Sequence, residues 1–150
     1  MSRKPSSVSA GDAPLRQGML PSLLGYRLRL AQQAVFRDFA RSIPDLSPGR
    51  VGVLVLIESN PGVTQSRLAR AVGLDRSTLV GLLHKLEGRA WIQRRRGTDR
   101  RTNGLWLTAK GAALLGRTKP LIARHEDRVA ARLTARERAR LLGLLGKLAP

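Results

Sequence analysis

Apolar residues recur at spacings of three and four along most of this chain, the signature of amphipathic helices. Between Leu20 and Ile43 the stripe is Leu24, Leu28, Ala31, Val35 and Phe39; Arg27, Arg37, Asp38 and Arg41 occupy the other face, and Pro44 stops the helix. Leu46 to Asn60 is ambiguous. Val51, Val53, Val55 and Ile57 alternate and are β-branched, as in a strand. Ser47-Pro48, however, is a helix start with Pro at the first helical position, and Asn60-Pro61-Gly62 is a firm stop. The span between them is long for a strand, so it is predicted as a buried helix. Thr64 is a candidate N-cap for a short helix to Val72 with Leu68, Ala69 and Val72 inside. After a turn at Gly73, Asp75 caps a further helix from Arg76 to about Arg89, striped by Leu79, Leu82, Leu83 and Leu86.

The period then changes. Trp91 to Arg95 and Leu105 to Leu107 are short strand candidates around a polar loop, which predicts a hairpin. Trp91 and Trp106 are expected to anchor it to the core, with base stacking as the alternative. Thr108 caps a helix to about Leu133 in which Pro120 should give a kink. Thr134-Ala-Arg-Glu137 is a capping box for a last helix carrying Leu141, Leu142, Leu144, Leu145 and Leu148. The order is four helices, a hairpin and two helices: a mainly α chain with a small β-hairpin, without internal repeat or interdomain linker.

Charge narrows the function. Lys and Arg number 28 against 10 Asp and Glu, a net charge of +18, in a chain of 150 residues. Most of the cations are Arg, whose planar fork suits phosphates and guanine edges, so the balance points to nucleic acid. Cysteine is absent, which excludes disulfides, thiolate chemistry and Cys-based metal sites. The longest apolar run, Val51 to Ile57, is far short of a membrane span, so no membrane partner is expected. Residues 1–18 mix Ser, Pro, Gly and charge and are predicted as a disordered arm. The two His are far apart, no Ser-His-Asp set can be assembled and no phosphate-binding glycine loop occurs, so neither an enzyme nor a cofactor or metal protein is expected.

Gln65 to His84 has the parts of a helix-turn-helix: Ala69 where two helices cross, Gly73 in the turn, and Leu68, Val72, Leu74, Leu79 and Leu82 to lock the pair. The second helix keeps one face free. Arg76 could fork to a guanine, Ser77 and Thr78 could bond bases or phosphates, and Lys85 suits a phosphate. Gln65 and Ser66, opening the first helix, complete this candidate set. An ordinary helical hairpin with a solvated polar face would look similar. The loop after it decides between them, because Arg94, Arg95, Arg96, Arg100 and Arg101 fall within eight positions. Such density suits a wing that neutralises the DNA backbone and enters a minor groove. Asp99 either holds Arg101 in one rotamer or softens the local repulsion.

From Leu46 to Gly111 the chain resembles the MarR family of bacterial regulators. The resemblance rests on Leu46-Ser-Pro48, Val63-Thr-Gln-Ser-Arg-Leu-Ala69, Gly73-Leu-Asp-Arg-Ser-Thr-Leu79, Leu86-Glu87, Asp99-Arg-Arg101 and Leu107-Thr-Ala-Lys-Gly111. It implies a winged helix-turn-helix at 46–111, N- and C-terminal dimerisation helices at 19–45 and 121–150, and a connecting helix at 112–120, all one domain over 19–150. It further implies a homodimer whose first and last helices interlock, a near-palindromic double-stranded operator, repression, and release by a small aromatic acid or phenolic compound. One position departs from the family. Ala90 stands where Gly usually forms a left-handed cap between the recognition helix and the wing, which should cost about 1 kcal/mol.

Tyr26, Arg29, Gln33, Val53 and His125 are candidates to bind such an effector, an Arg or His meeting its carboxylate and apolar side chains its ring. The competing reading makes Tyr26 interface packing and His125 a solvated helix residue. The expectation is therefore a bacterial, cytoplasmic, nucleoid-associated transcriptional regulator. The rival reading is a nonspecific architectural protein that coats DNA.

Overall fold

The computed structural model describes residues 14–96 and 103–148, and the chain divides into two compact units, 1–34 and 35–150. Much of the predicted arm, the wing tip and residues 149–150 lie outside the described residues.

In the first unit, Leu20–Ser22 form a single 3-10 turn with Pro21 at its start, Leu23 is extended, and α1 (Leu24–Ser42) begins behind it. The one helix predicted from Leu20 is thus broken. The stripe ignored Pro21, which has no N–H to continue a helix upstream. Leu20, Leu23, Leu24, Leu28 and Leu30 are all exposed.

The second unit holds the rest of α1 and everything after it. The ambiguous Val-rich segment is a helix, α2 (Pro48–Ser59), capped by the Ser47 hydroxyl, which accepts from the Arg50 N–H at 3.4 Å. Its strand-like alternation arises because α2 is covered on most sides: Val51, Val53, Leu54 and Ile57 are all buried. A two-residue strand β1 (Val63–Thr64) follows, then α3 (Gln65–Val72) and α4 (Arg76–Gly88), with Gly73 left-handed between them at φ 63°. β2 (Ile92–Arg96) and β3 (Asn103–Leu107) form the predicted hairpin. β1 makes it a three-stranded antiparallel sheet in the order β1-β3-β2, with Val63 opposite Leu105. Two residues are too few for a periodic signal, so this strand was not expected from the sequence. α5 (Ala109–Val129) runs unbroken through Pro120, and α6 (Ala135–Leu148) starts at the predicted capping box, where Thr134 and Glu137 bond reciprocally. α5 ends four residues before Leu133, the end expected from the sequence.

The core joins Phe39 of α1 and Ile43 just after it to Leu54 and Ile57 of α2, Leu68 of α3, Leu79, Leu83 and Leu86 of α4, Trp91, Leu105 and Leu115. Trp91 is buried as predicted. Trp106 is only half-buried, on the sheet face opposite Leu105.

The joint between α4 and β2 fixes how the hairpin leaves α4. The Trp91 N–H donates to the Leu86 carbonyl at 3.0 Å and the Ala90 N–H to the Glu87 carbonyl at 2.8 Å, the paired bonds of a Schellman cap. Ala90 sits in it at φ 55°, the one described non-glycine residue with positive φ. The left-handed conformation expected at this position is therefore present, with its cost. Thr108 closes the joint. Its hydroxyl donates to the Ala90 carbonyl at 2.6 Å, its N–H donates to the Trp91 carbonyl at 3.1 Å, and its oxygen caps α5 by accepting from the Gly111 N–H at 3.0 Å. Gly111 lies so close to this turn that a β-carbon there would overlap the Trp91 carbonyl.

Two substitutions check the joint by urea unfolding. Ala90→Gly removes the left-handed penalty and should stabilise the protein by about 0.5–1 kcal/mol. Gly111→Ala forces α5 off the turn and should destabilise it by about 3 kcal/mol or more. Equal midpoints for either variant and the wild type would contradict the joint as described.

Candidate nucleic-acid interface

α3 and α4 pack through Leu68 and Leu79, which are almost fully buried, and Gly73 turns the chain between them. With that stripe inward, Arg76, Ser77, Thr78, Gly81, His84 and Lys85 of α4 face solvent. The first turn is organised by Asp75. Its carboxylate accepts from the Ser77 hydroxyl at 2.6 Å, the Thr78 hydroxyl at 2.6 Å and the Thr78 N–H at 2.9 Å. These bonds, from Ser77 first and then Thr78, hold the carboxyl far below its ordinary range. An ionised carboxylate only accepts, so both hydroxyls must donate to it. What they present outward is lone pairs.

The hairpin leaves the far end of α4. Side chains alternate along β2, so Ile92 and Arg94 share the core-facing side with Leu105, the partner of Arg94, while Gln93 and Arg95 share the outer side with Trp106. The Arg95 guanidinium lies 5.8 Å from the Trp106 ring centre, and Arg95 and Arg96 are exposed. Arg94 behaves differently: its Nε donates to Glu87 Oε1 at 2.8 Å, one terminal nitrogen to Glu87 Oε2 at 3.4 Å, and the other to Gln65 Oε1 at 3.1 Å. Among the described residues no carboxylate pairs with Arg76, Lys85, Arg95 or Arg96. Ser66 is exposed beside Gln65. Asp99, Arg100 and Arg101 lie outside the described residues.

The candidate effector residues are dispersed between the units. In the first, Tyr26 is half-buried with the Arg29 guanidinium 5.2 Å from its ring centre, and Gln33 is exposed. In the second, Val53 is wholly buried in the core. His125 is only 2% exposed, not the solvated helix residue of the competing reading. Its Nδ1 lies 2.6 Å from Asp38 Oδ2, and its ring meets Phe39 edge-on at 5.2 Å. Asp38, taken from the pattern as part of a solvated face, also accepts from Arg128 at 3.0 Å, and Arg128 reaches Ser42. The signal was faint but present: Asp38 and Ser42 are four apart, His125 and Arg128 three apart, so each pair shares a helix face. Bonds from Arg128 and then His125 hold the Asp38 carboxyl down at about 2, below its ordinary 3.8, against the opposing effect of burial. Among the described residues no three His, Cys, Asp or Glu side chains gather as a metal site, and no helix is long and apolar enough to cross a membrane.

Comparison with known proteins agrees with this fold. The MarR family profile matches residues 46–102. A protein assigned as transcriptional regulator of the hcr operon in Thauera aromatica is 40% identical over 140 residues, 91% of this chain and 84% of that protein. The transcriptional repressor CouR, solved on a 23-mer DNA duplex, is 42% identical and superposes with a TM-score of 0.86 over 92% of this chain and 100% of its own; it has also been solved with p-coumaroyl-CoA. PcaV of Streptomyces coelicolor, solved with its natural ligand, is 28% identical with a TM-score of 0.82 over 91% of this chain and 96% of its own.

The Asp38 cluster generates a pH-dependent prediction. A carboxyl whose pKa is lowered by folding adds stability that is complete above its unfolded value near 4 and is lost as pH falls through its folded value of about 2. Asp38→Asn should therefore lower the thermal midpoint at pH 7, and the gap to wild type should narrow between pH 4 and pH 2. A gap independent of pH would show that the ionised carboxylate does not link α1 to α5.

Proposed function

The chain belongs to the MarR family of transcriptional regulators, and on that footing we propose that it is a homodimeric, sequence-specific repressor that leaves its operator when a small aromatic or phenolic ligand binds. The observation that carries this reading is the pairing of one free helix face, Arg76 to Lys85, with a wing strand bearing exposed Arg95 and Arg96, both anchored to the same core. A recognition helix enters the major groove by its first turns while the wing meets the backbone or minor groove. Arg76 is the candidate for a guanine edge. Ser77 and Thr78, their protons held by Asp75, offer lone pairs suited to the amino groups of adenine or cytosine. Lys85, Arg95 and Arg96, with Ser66, Arg100 and Arg101, serve the backbone and minor groove, and Asp99 holds Arg101 in one rotamer or softens the local repulsion. The DNA-bound state of CouR supports this use of the fold.

Two exposed apolar surfaces support a homodimer. Leu20, Leu23, Leu24, Leu28 and Leu30 in the first unit, and Leu141, Leu142, Leu144, Leu145 and Leu148 on α6, would stand in water on a monomer. A hollow of about 410 Å³ between the end of α5 and α6, floored by Ala130, Leu133, Ala139 and Leu142, has room for side chains of a second copy. A two-fold dimer presents two recognition helices to a near-palindromic site. The segments at 19–45 and 121–150 then serve dimerisation, with the lobe at 46–111 and the part of α5 at 112–120 between them.

The ligand bound to CouR is an aromatic acyl thioester, which supports an aromatic acid or its thioester as effector here. Tyr26, Arg29 and Gln33, in the first unit, remain candidate residues for it, whereas Val53 and His125 are closed inside the second. No catalytic role is proposed, and the place of action is the cytoplasmic nucleoid.

Selection from a randomised duplex pool should enrich one near-palindrome, bound at least about 10³-fold more tightly than random duplex at equal salt. Uniform, salt-sensitive binding would favour an architectural coat. Arg76→Ala should lose about 1–3 kcal/mol of discrimination at one base position per half-site. Separately, Leu145→Asp should yield monomers in sedimentation and weaken binding to the full palindrome; a monomer that still binds it tightly would refute the interface.

A further inference from the structure

Arg94 looks, in the sequence, like one of five equivalent wing cations. The fold sets it apart. On β2 it faces the helices with Ile92 and Leu105, whereas Arg95 shares the outer face with Trp106. Its guanidinium meets the Glu87 carboxylate side-on through two nitrogens, at 2.8 and 3.4 Å, and the Gln65 side-chain oxygen through the third, at 3.1 Å. Glu87 lies in the last turn of α4, Gln65 is the first residue of α3, and Arg94 is midway along β2. One planar group therefore bonds to both helices of the helix-turn-helix from the strand that leads into the wing. Its side chain is 32% exposed and that of Glu87 25%, so the pair is partly withdrawn from solvent screening.

We infer that Arg94 is a positioning residue, a clamp that holds the wing at a fixed angle to α4, and that Glu87 is its obligatory partner in operator recognition. The inference rests on the regulator reading above. Its physical content is simple. The cation is neutralised within hydrogen-bonding distance, so it adds little to the charge that displaces counterions from DNA. All three guanidinium nitrogens are engaged in a planar arrangement that a lysine ammonium cannot reproduce. The joint at Trp91 and Thr108 fixes the base of the hairpin, and the clamp fixes it nearer the wing, so that helix and wing meet one duplex together.

Charge alone and the clamp predict opposite signs for the same variant. Removing a carboxylate from a DNA-binding lobe should strengthen binding if only charge matters, whereas the clamp requires it to weaken. The test measures binding of wild type, Glu87→Gln, Arg94→Ala, Arg94→Lys and the double variant Glu87→Gln with Arg94→Ala, across a salt series. The probes are the near-palindromic duplex selected by the wild type and a random duplex of equal length. Each single variant, the lysine included, should lose about tenfold in affinity for the selected duplex, and the double variant no more than either single one, the non-additivity of a shared interaction. Binding to random duplex and the slope of affinity against salt should stay as in wild type for Arg94→Lys and the double variant, which keep the net charge. Thermal midpoints should barely move, because a part-exposed ion pair adds little stability. The clamp is overturned if Glu87→Gln tightens or leaves unchanged the selected complex. It is equally overturned if Arg94→Lys binds like wild type while Arg94→Ala lowers the salt slope by about one unit, the mark of a direct phosphate contact. A wild type that fails to distinguish the two duplexes would instead sink the regulator reading itself.

Discussion

The carbonyl of Trp91 is the point on which the DNA-binding lobe turns. Helix α4 ends three residues before it, strand β2 starts one residue after it, and the N–H of Thr108, the cap of α5, donates to it. Thr108 does three things there: it ties down the Ala90 and Trp91 carbonyls, caps α5 and brings Gly111 against the turn. A helix C-terminus, a strand start and a helix N-terminus all leave backbone groups without partners. Placing the three ends together lets each satisfy the others, without a long loop. That economy accepts an Ala at positive φ, where Gly would relax the turn. The surrounding bonds over-determine the conformation, the condition under which local strain persists.

Electrostatics follow a division of labour. Carboxylates are scarce in a chain of net charge +18, and most of those in view are engaged in bonds that hold the fold. Asp38 bridges α1 to His125 and Arg128, Asp75 and Glu137 organise helix starts, and Glu58 pairs with Lys119. Glu87 holds Arg94, and Glu126 and Asp127 meet Arg138. The cations of the outer α4 face and outer wing have no such partner among the described residues. A basic protein risks repelling itself apart; here the paired carboxylates stand at junctions between elements or at helix starts, while among the described residues the outer α4 face and the outer side of β2 keep their positive charge.

How much of this was legible in the sequence depends on the range of each signal. Local signals survived intact. Ser47, Thr64, Asp75, Thr108 and the Thr134–Glu137 box all cap helices where their spacing places them. The left-handed position of Ala90 came only from the family resemblance, in which Gly usually stands there, and the local sequence alone carries no sign of it. Signals that depend on distant partners were lost. A helical stripe assigns every charged residue to the solvent side, so Asp38 was read as exposed although its partners lie some 87 to 90 positions away in the chain. The same rule treated the wing arginines as one population. Only the register of β2 on β3 separates Arg94 from Arg95. β1 escaped because two residues carry no period, and the break before α1 because a good stripe outweighed Pro21.

Net charge and geometry answer different questions about DNA. A surface of this charge would hold any duplex through counterion release, and that attraction is indifferent to the order of bases. Discrimination comes from donors and acceptors held at fixed positions against base edges. A protein that merely coats DNA has no use for a rigid angle between helix and wing. This lobe constrains that angle at two levels, by a strained cap closed with a threonine and by an arginine shared between two helices. It also fixes the orientation of the Ser77 and Thr78 hydroxyls through one carboxylate, although an acidic group on such a lobe works against charge-driven affinity. Giving up attraction for orientation is sensible only where the sequence of the duplex matters.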